Sequence, residues 1–378
     1  NLNVVTGANQ IDRNNSATQI AGEGAAPSIA IDTGALGGMY AGKIFLTSTE
    51  KGVGVNNAGQ IAASAGQVAI SADGLLTNSG TISSNGQENA TTVNTTAVRN
   101  SGTISAQGNT QIQTSAELQN SGTIAAGREL KVNSNTVDNS NGVLNGQRVD
   151  ITTNSLNNTK GKIQQTGATQ ALALNAGSLN NINNGIIGYE PEEPSSGGSS
   201  GGSTNGSSGS SSGSGSTDTP TTAAGGGTTT VVQPAPLPTL TDGVINVSGN
   251  ILNDAGQITA NGGIDLTSSN GLTNNATLNL NKLKVSGNAL DNTNGTITTT
   301  QADINTTNIT NTSGKFGSTG NINLTAQNLT NSKGQITAGG AITSNIAQTV
   351  LNDDGTIGST GEQVLNAATL NNAGGTIA

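Results

Sequence analysis

A short phrase recurs along the chain at intervals of about 20 residues. It consists of an aliphatic residue, an Asn two positions later, a Gly and a second aliphatic residue, as in Leu118, Asn120, Gly122 and Ile124. A period of this length indicates a solenoid, because one repeat is too small to bury its own apolar face. The last aliphatic or aromatic residues of the phrases are Ile61, Ile82, Ile104, Ile124, Leu144, Ile163, Ile187, Ile258, Leu278, Ile297, Phe316, Ile336, Ile357 and Ile377.

Within each period, aliphatic and polar residues alternate over short spans, as at Val68 and Ile70 or at Ile322 and Leu324. Alternation with a period of two indicates β-strands that are buried on one face. Clusters of Gly, Asn and Ser separate these spans and supply turns. A leucine-rich repeat has a similar period, but its fixed Leu frame is missing here. The sequence therefore predicts an all-β fold, a parallel β-helix (solenoid) with coils of about 20 residues stacked roughly 4.8 Å apart.

A column of Asn residues follows the leading aliphatic residue of the phrase. Stacked coils would place these side chains over one another and would form an amide ladder, as in cross-β structures. We interpret the column as structural rather than as a ligand site, because buried amides can satisfy each other and the backbone. Only one position departs from Asn in this alignment; the column comprises Asn57, Asn78, Asn100, Asn120, Asn139, Asn158, Asn181, Asp254, Asn274, Asn292, Asn311, Asn331, Asn352 and Asn372.

Four segments follow from these patterns. Residues 1–50 are less regular, and their Gly-rich stretch 34–43 predicts an irregular coil. Residues 51–188 carry β-helix repeats, residues 189–242 form a low-complexity insertion rich in Gly, Ser, Thr and Pro, and residues 243–378 continue the repeats. We predict that the insertion is one large loop leaving a coil, with the solenoid in register on both sides. Because the last phrase ends one residue before the end of the chain, we expect a piece of a longer protein.

Composition excludes several classes of site. The chain has no Cys and no His, which removes disulfides, thiolate metal sites and the commonest catalytic bases and nucleophiles. A formal net charge of −9, with 9% charged residues, argues against a nucleic-acid partner. No stretch has the length of a transmembrane helix, and we expect no cleavable signal peptide in the opening residues.

The acidic residues do not suggest an active site. A polysaccharide-degrading enzyme, the main catalytic alternative for a β-helix, needs carboxylates that converge on one face. Here they are scattered, and Asp353 and Asp354 are neighbours in a turn. We therefore predict a protein that is not an enzyme, without catalytic, cofactor-binding or metal-ligating residues. The acidic residues considered are Asp73, Glu88, Glu117, Asp138, Asp150, Asp265 and Asp303.

Other candidate contacts also have structural interpretations. The segment from Gly262 to Asp265 is an isolated near match to a calcium-binding β-roll, so no metal is expected. Exposed aromatic residues often bind carbohydrate. Phe316 occupies a core position of the phrase, whereas Tyr189 begins the insertion and is the aromatic residue predicted to be exposed. Lysine pairs such as Lys160 with Lys162 are expected on solvated faces.

Several stretches resemble the filamentous-haemagglutinin family, the large exoproteins of two-partner secretion in Gram-negative bacteria. The segment from Gly34 to Ile44, followed by Gly52 to Gly59, resembles the start of their shaft. The segment from Val5 to Gln10 resembles the tail of their secretion domain, and the repeats from Asn57 onward are similar to haemagglutinin repeats. The resemblance implies a right-handed β-helix, and it implies that residues 1–50 hold the end of a secretion domain and the first coils.

The resemblance also implies a function. It favours a structural shaft segment of a large adhesin, secreted to the cell surface through an outer-membrane transporter. Such a shaft would contact a receptor or glycan on a host or neighbouring cell, or would present a distal domain to it. Two alternatives stay open, the stalk of a contact-dependent growth inhibition exoprotein that delivers a toxin and a β-helical polysaccharide-degrading enzyme.

Overall fold

The computed structural model describes residues 1–14, 16–167, 171–189, 243–259 and 263–378. In these ranges every regular element is a β-strand, and no helix is present that could span a membrane. The strands form a 32-stranded sheet whose pairings are all parallel, together with one antiparallel pair near the N terminus. The prediction of an all-β solenoid with coils of about 20 residues is confirmed, while its right-handed sense stays a prediction.

The strands, numbered in chain order, are β1 (Leu2–Thr6), β2 (Asn9–Ile11), β3 (Ala17–Gln19), β4 (Ile29–Thr33), β5 (Gly38–Ala41), β6 (Ile44–Ser48), β7 (Gly54–Asn57), β8 (Gln60–Ala63), β9 (Val68–Asn78), β10 (Thr81–Ser84), β11 (Thr91–Asn100), β12 (Thr103–Ala106), β13 (Thr110–Asn120), β14 (Thr123–Asp138), β15 (Val143–Asn157), β16 (Lys162–Gln165), β17 (Leu172–Ile182), β18 (Ile186–Tyr189), β19 (Gly243–Val247), β20 (Asn250–Asp254), β21 (Gln257–Thr259), β22 (Ile264–Ser268), β23 (Gly271–Asn274), β24 (Thr277–Asn279), β25 (Lys282–Asp291), β26 (Thr296–Thr299), β27 (Gln301–Thr310), β28 (Lys315–Ser318), β29 (Ile322–Thr330), β30 (Gln335–Ala338), β31 (Ile342–Leu351), β32 (Thr356–Ser359), β33 (Gln363–Asn371) and β34 (Thr376–Ile377).

Each strand pairs in register with the equivalent strand of the next coil. Ile61 of β8 pairs with Ile82 of β10, which pairs with Ile104 of β12 and through it with Ile124 of β14. Equivalent side chains therefore stack into columns. The last apolar residue of the phrase is buried in every coil up to Ile357, so these columns form the core. Burial of each such side chain stabilises the fold by about 1.5–3 kcal/mol.

In several coils, one short strand is followed by one long strand that turns a corner. β10 is four residues long, and β11 follows it with ten residues. The register of β11 against both neighbouring coils shifts between Thr95 and Ala97. Such an irregularity bends a strand. One long strand therefore covers two faces of the coil and ends at the column of Asn residues.

The N-terminal residues already take part in the stack. β5 is a strand in which Met39 pairs with Ile61 of β8, so the predicted irregular coil is wrong for Gly38–Ala41. The Gly content made this strand unrecognisable in the sequence, because pairing with neighbouring strands stabilises β5 and its own β-propensity does not. Ile44 of β6 likewise pairs with Val68 of β9.

The stack continues in register across the insertion. Leu174 pairs with Ile245, Leu179 pairs with Ile251, and Ile187 pairs with Ile258. The predicted continuation of the solenoid on both sides is therefore confirmed. The insertion predicted at residues 189–242 lies outside the described residues apart from the backbone of Tyr189. The segment boundaries proposed from the sequence stay predictions.

Candidate functional surface

The acidic residues singled out in the sequence lie on the outer faces of different coils and interact locally. Glu117 accepts a hydrogen bond from Gln119 at 2.9 Å, Asp303 accepts one from Asn323 at 2.6 Å, and Asp265 accepts one from Asn281 at 2.8 Å. Within the described ranges, no three His, Cys, Asp or Glu side chains come together as a metal site. Asp303 and Asp265 therefore link neighbouring coils, Glu117 is bound within its own strand, and these three carboxylates do not converge on a common centre.

The Asn column forms a continuous ladder of hydrogen bonds. The amide nitrogen of each Asn donates to the amide oxygen of the equivalent Asn in the next coil, at 2.6–2.9 Å. The ladder connects fourteen residues, in the order Asn57, Asn78, Asn100, Asn120, Asn139, Asn158, Asn181, Asn253, Asn274, Asn292, Asn311, Asn331, Asn352 and Asn372.

One member of the ladder differs from the prediction. Asn253 occupies the position that the sequence alignment assigned to Asp254. The error arose because Ile251 and Leu252 are both aliphatic, and alternation alone does not choose between them. Ile251 is the buried residue that pairs with Leu179, so the Asn two positions later enters the column. The ladder has no interruption.

Each amide nitrogen also makes contacts with the backbone. Asn331 donates to the carbonyl of Gly334 in its own turn at 3.2 Å and to the carbonyl of Thr356 in the next coil at 3.0 Å. Asn331 is completely buried, and buried polar groups are stable only when they are hydrogen-bonded. Asp cannot replace Asn here, because an ionised carboxylate has no donor. The structural interpretation of the column is therefore supported by its contacts.

The outer faces carry further polar stacks. Asn154 donates to Asn135 at 2.6 Å, and Asn366 donates to Asn345 at 2.8 Å, both between neighbouring coils. Ion pairs also join neighbouring coils, for example between Lys282 and Asp265 at 3.4 Å. Exposed pairs of this kind contribute about 0–1 kcal/mol each. The faces therefore present amides, hydroxyls and isolated charges in regular rows.

The aromatic residues are placed differently from one another. Phe316 is buried in the core, as predicted. Tyr40 is 66% exposed, and its hydroxyl donates to Gln60 at 2.7 Å. The interpretation that only Tyr189 would be exposed is therefore wrong, since the sequence did not show which side of β5 faces solvent. The side chain of Tyr189 lies outside the described residues.

Comparison with known proteins identifies relatives that share the name CdiA. Toxin CdiA of Yersinia pestis is 51% identical over 112 residues, which are 29% of this chain and 3% of the relative. The tRNA nuclease CdiA-2 of Burkholderia pseudomallei (strain 1026b) is 59% identical over 80 residues, 21% of this chain and 3% of the relative. The 16S rRNA endonuclease CdiA of Enterobacter cloacae subsp. cloacae is 43% identical over 111 residues, 29% of this chain and 3% of the relative.

No family model and no solved structure matches the chain. The matched segments span about 3% of the length of these curated relatives. CdiA proteins are secreted, cell-surface exoproteins of contact-dependent growth inhibition and use two-partner secretion. The resemblance to haemagglutinin-repeat exoproteins is therefore confirmed. The relatives support the toxin-delivery alternative better than the adhesin interpretation.

The prediction that the protein is not an enzyme is contradicted by these relatives, because two of them are named as nucleases. The prediction counted catalytic groups in the residues of this chain, whereas the names describe proteins of which the matched part is about 3%. The same names specify RNA, so the exclusion of nucleic acid, drawn from the charge of this chain, does not extend to the relatives.

Proposed function

We propose that this chain is a shaft segment of a contact-dependent growth inhibition exoprotein, and that the parent protein delivers a nuclease to neighbouring cells. The observation that carries the proposal is 51–59% identity to CdiA proteins in a chain that folds as an unbroken stack of coils. In a solenoid each repeat contacts only its neighbours, so the number of coils sets the reach of the shaft. RNA is the proposed substrate of the parent.

The remaining proposals are supported by the same relatives and by the sequence patterns. We propose secretion through an outer-membrane two-partner-secretion transporter to the surface of a Gram-negative bacterium, and contact there with a receptor or glycan on another cell. Residues 1–50 would hold the end of a secretion domain and the first coils. Residues 51–188 and 243–378 would form the shaft, and residues 189–242 would be a loop that interrupts the sequence of the shaft without ending its stack.

Deletion of one whole coil from the parent protein tests the role as a shaft. Removing residues 104–123 joins equivalent positions, so Asn100 meets Asn139 and the ladder closes again. We expect growth inhibition of susceptible target cells in co-culture to be retained, with the parent still detected at the cell surface. Removing residues 104–113 has a different effect, because half a coil breaks the register and exposes core side chains. That deletion should abolish surface display and growth inhibition.

Two results would contradict the proposal. The first is growth inhibition that is unchanged by the half-coil deletion. The second is growth inhibition that is unchanged by removal of residues 51–378. The nuclease assignment is tested separately, by incubating the purified parent protein with total RNA and analysing tRNA and rRNA fragments. Absence of RNA cleavage would refute the nuclease assignment. The shaft proposal would then be judged by the co-culture results alone.

Adhesion is a second proposal. It is supported by the rows of amides and hydroxyls on the outer faces, such as the Asn135–Asn154 and Asn308–Asn328 stacks. Cell binding by the parent that persists after loss of growth inhibition would favour adhesion as a function in its own right. Loss of both activities in the same deletions would favour delivery, with adhesion as one step of it.

A further inference from the structure

A shallow groove of about 320 Å³ crosses four consecutive coils beside the Asn ladder. Its floor carries one column of outward side chains, in which Thr77 pairs with Arg99, Arg99 with Gln119, and Gln119 with Asp138. The hydroxyls of Ser101 and Ser121 line it on the turn side. Every one of these side chains is polar, so the groove is unsuited to an apolar anchor.

The groove lies where the turn after the ladder changes length. Asn120 is followed by two residues, ending at Gly122, before β14 begins, whereas Asn139 is followed by three, ending at Gly142. Identical coils stack flush, and a change in turn length offsets one coil edge from the next. Ser140, in the first of the longer turns, lines the groove at this step.

Arg99 is the one side chain of the groove that carries a positive charge, and it is exposed. It pairs with no carboxylate in the described part of the chain. The neighbouring carboxylates are already engaged, since Glu117 accepts from Gln119 at 2.9 Å and Asp138 accepts from Asn157 at 3.1 Å. A free guanidinium offers a planar fork of donors that matches a carboxylate.

We infer that this groove binds a sugar that carries a carboxylate, of the uronic acid class. Arg99 would pair with the carboxylate, and Ser101, Ser121 and Gln119 would hydrogen-bond to the ring hydroxyls. The nearby charges of Glu117 and Asp138 disfavour a densely charged polyanion, because like charges repel at this range. The site thus selects one carboxylate among many hydroxyls. This inference rests on the proposed contact with a glycan and names its class. Because binding by the purified chain requires neither secretion nor delivery, its failure is distinguishable from failure of the shaft proposal.

Binding of an acidic trisaccharide, with one galacturonate and two neutral galactose residues, to the purified chain tests the inference, measured by saturation-transfer NMR and titration. Wild-type protein should bind the acidic trisaccharide more tightly than the triply charged trigalacturonate and should not bind neutral galactotriose. Arg99→Ala should lower the affinity by about tenfold or more, because the charge-assisted hydrogen bonds are lost. Arg99→Lys should recover part of the binding, since it keeps the charge but loses the fork. Ser121→Ala should weaken binding by about threefold.

Lys131→Ala is the matched control, because Lys131 is an exposed cation on a different face and does not line the groove. It should bind as the wild type does, and circular dichroism should show every variant folded. The inference is overturned if wild-type protein does not bind the acidic trisaccharide, if Lys131→Ala loses as much affinity as Arg99→Ala, or if a sulfated oligosaccharide binds more tightly than the acidic trisaccharide in an Arg99-dependent way.

Discussion

The coils before and after Asn139 reach the same ladder through different turns. In the earlier coils, two residues follow the ladder Asn, as in Ser121–Gly122, and neither has a positive φ. In most later coils three residues follow it, as in 332–334, and the middle one adopts a left-handed conformation. These left-handed residues are Asn141, Lys160, Ala255, Asn294, Ser313, Lys333, Asp354 and Gly374.

The comparison shows that the ladder, rather than the turn, defines the coil. Amide distances across Asn100 to Asn120 and across Asn311 to Asn331 are both 2.8 Å, although the turns differ by one residue. A left-handed conformation costs a residue with a Cβ about 1–2 kcal/mol. The later coils accept that cost and keep the buried hydrogen bonds, because unsatisfied buried amides would cost more.

Removal of one ladder amide from each region should have the largest effect on stability. Asn100→Ala and Asn311→Ala each leave buried groups of two neighbouring coils without partners, so each should destabilise the fold by about 2–4 kcal/mol. Urea unfolding, with hydrogen exchange to localise the change, measures the difference. Asn154→Ala, on an exposed face, is the control and should cost less than about 0.5 kcal/mol. A large effect in one region alone would show that the turn, and not the ladder, defines its coils.

The Gly of the turn should be required in both regions. A Cβ at Gly122 would overlap the carbonyl oxygen of Gly102, and a Cβ at Gly334 would overlap that of Asn311. Gly122→Ala and Gly334→Ala should therefore each destabilise the fold by about 2 kcal/mol or more. Gly317→Ala is the control, because its Cβ would lie 3.8 Å from the nearest atom. Thermal unfolding distinguishes them, and a stable Gly122→Ala variant would refute the requirement for close backbone approach.

Turn strain should give the smallest effect, with opposite signs in the two regions. Lys333 has a φ of 55°, so Lys333→Gly should stabilise by about 0.5–1 kcal/mol, because Gly adopts this conformation freely. Ser121 has no positive φ, so Ser121→Gly should destabilise by a similar amount, about 0.5–1 kcal/mol, through lost backbone entropy. Chemical denaturation of the two variants measures both shifts. Equal signs would mean that the turns do not differ in strain.

Much of the fold was predictable because the repeat is strict. The phrase placed the core anchors correctly, since an aliphatic residue in the same place in every coil can be buried only by stacking. The pattern failed where it was locally ambiguous, as between Ile251 and Leu252, or where Gly concealed a strand, as in Gly38–Ala41. The groove around Arg99 was not predictable, because it arises from an offset between adjacent coils and not from any motif within one coil.

All ladder amides donate in one direction along the chain, from each coil to the next. The column consequently has an acceptor end and a donor end. At the acceptor end, the buried amide oxygen of Asn57 has no hydrogen-bond partner in the described structure. Thr33 of β4 lies opposite Asn57 in the preceding coil and is buried with it, so the ladder ends against a hydroxyl side chain inside the molecule and not at a surface open to a second copy.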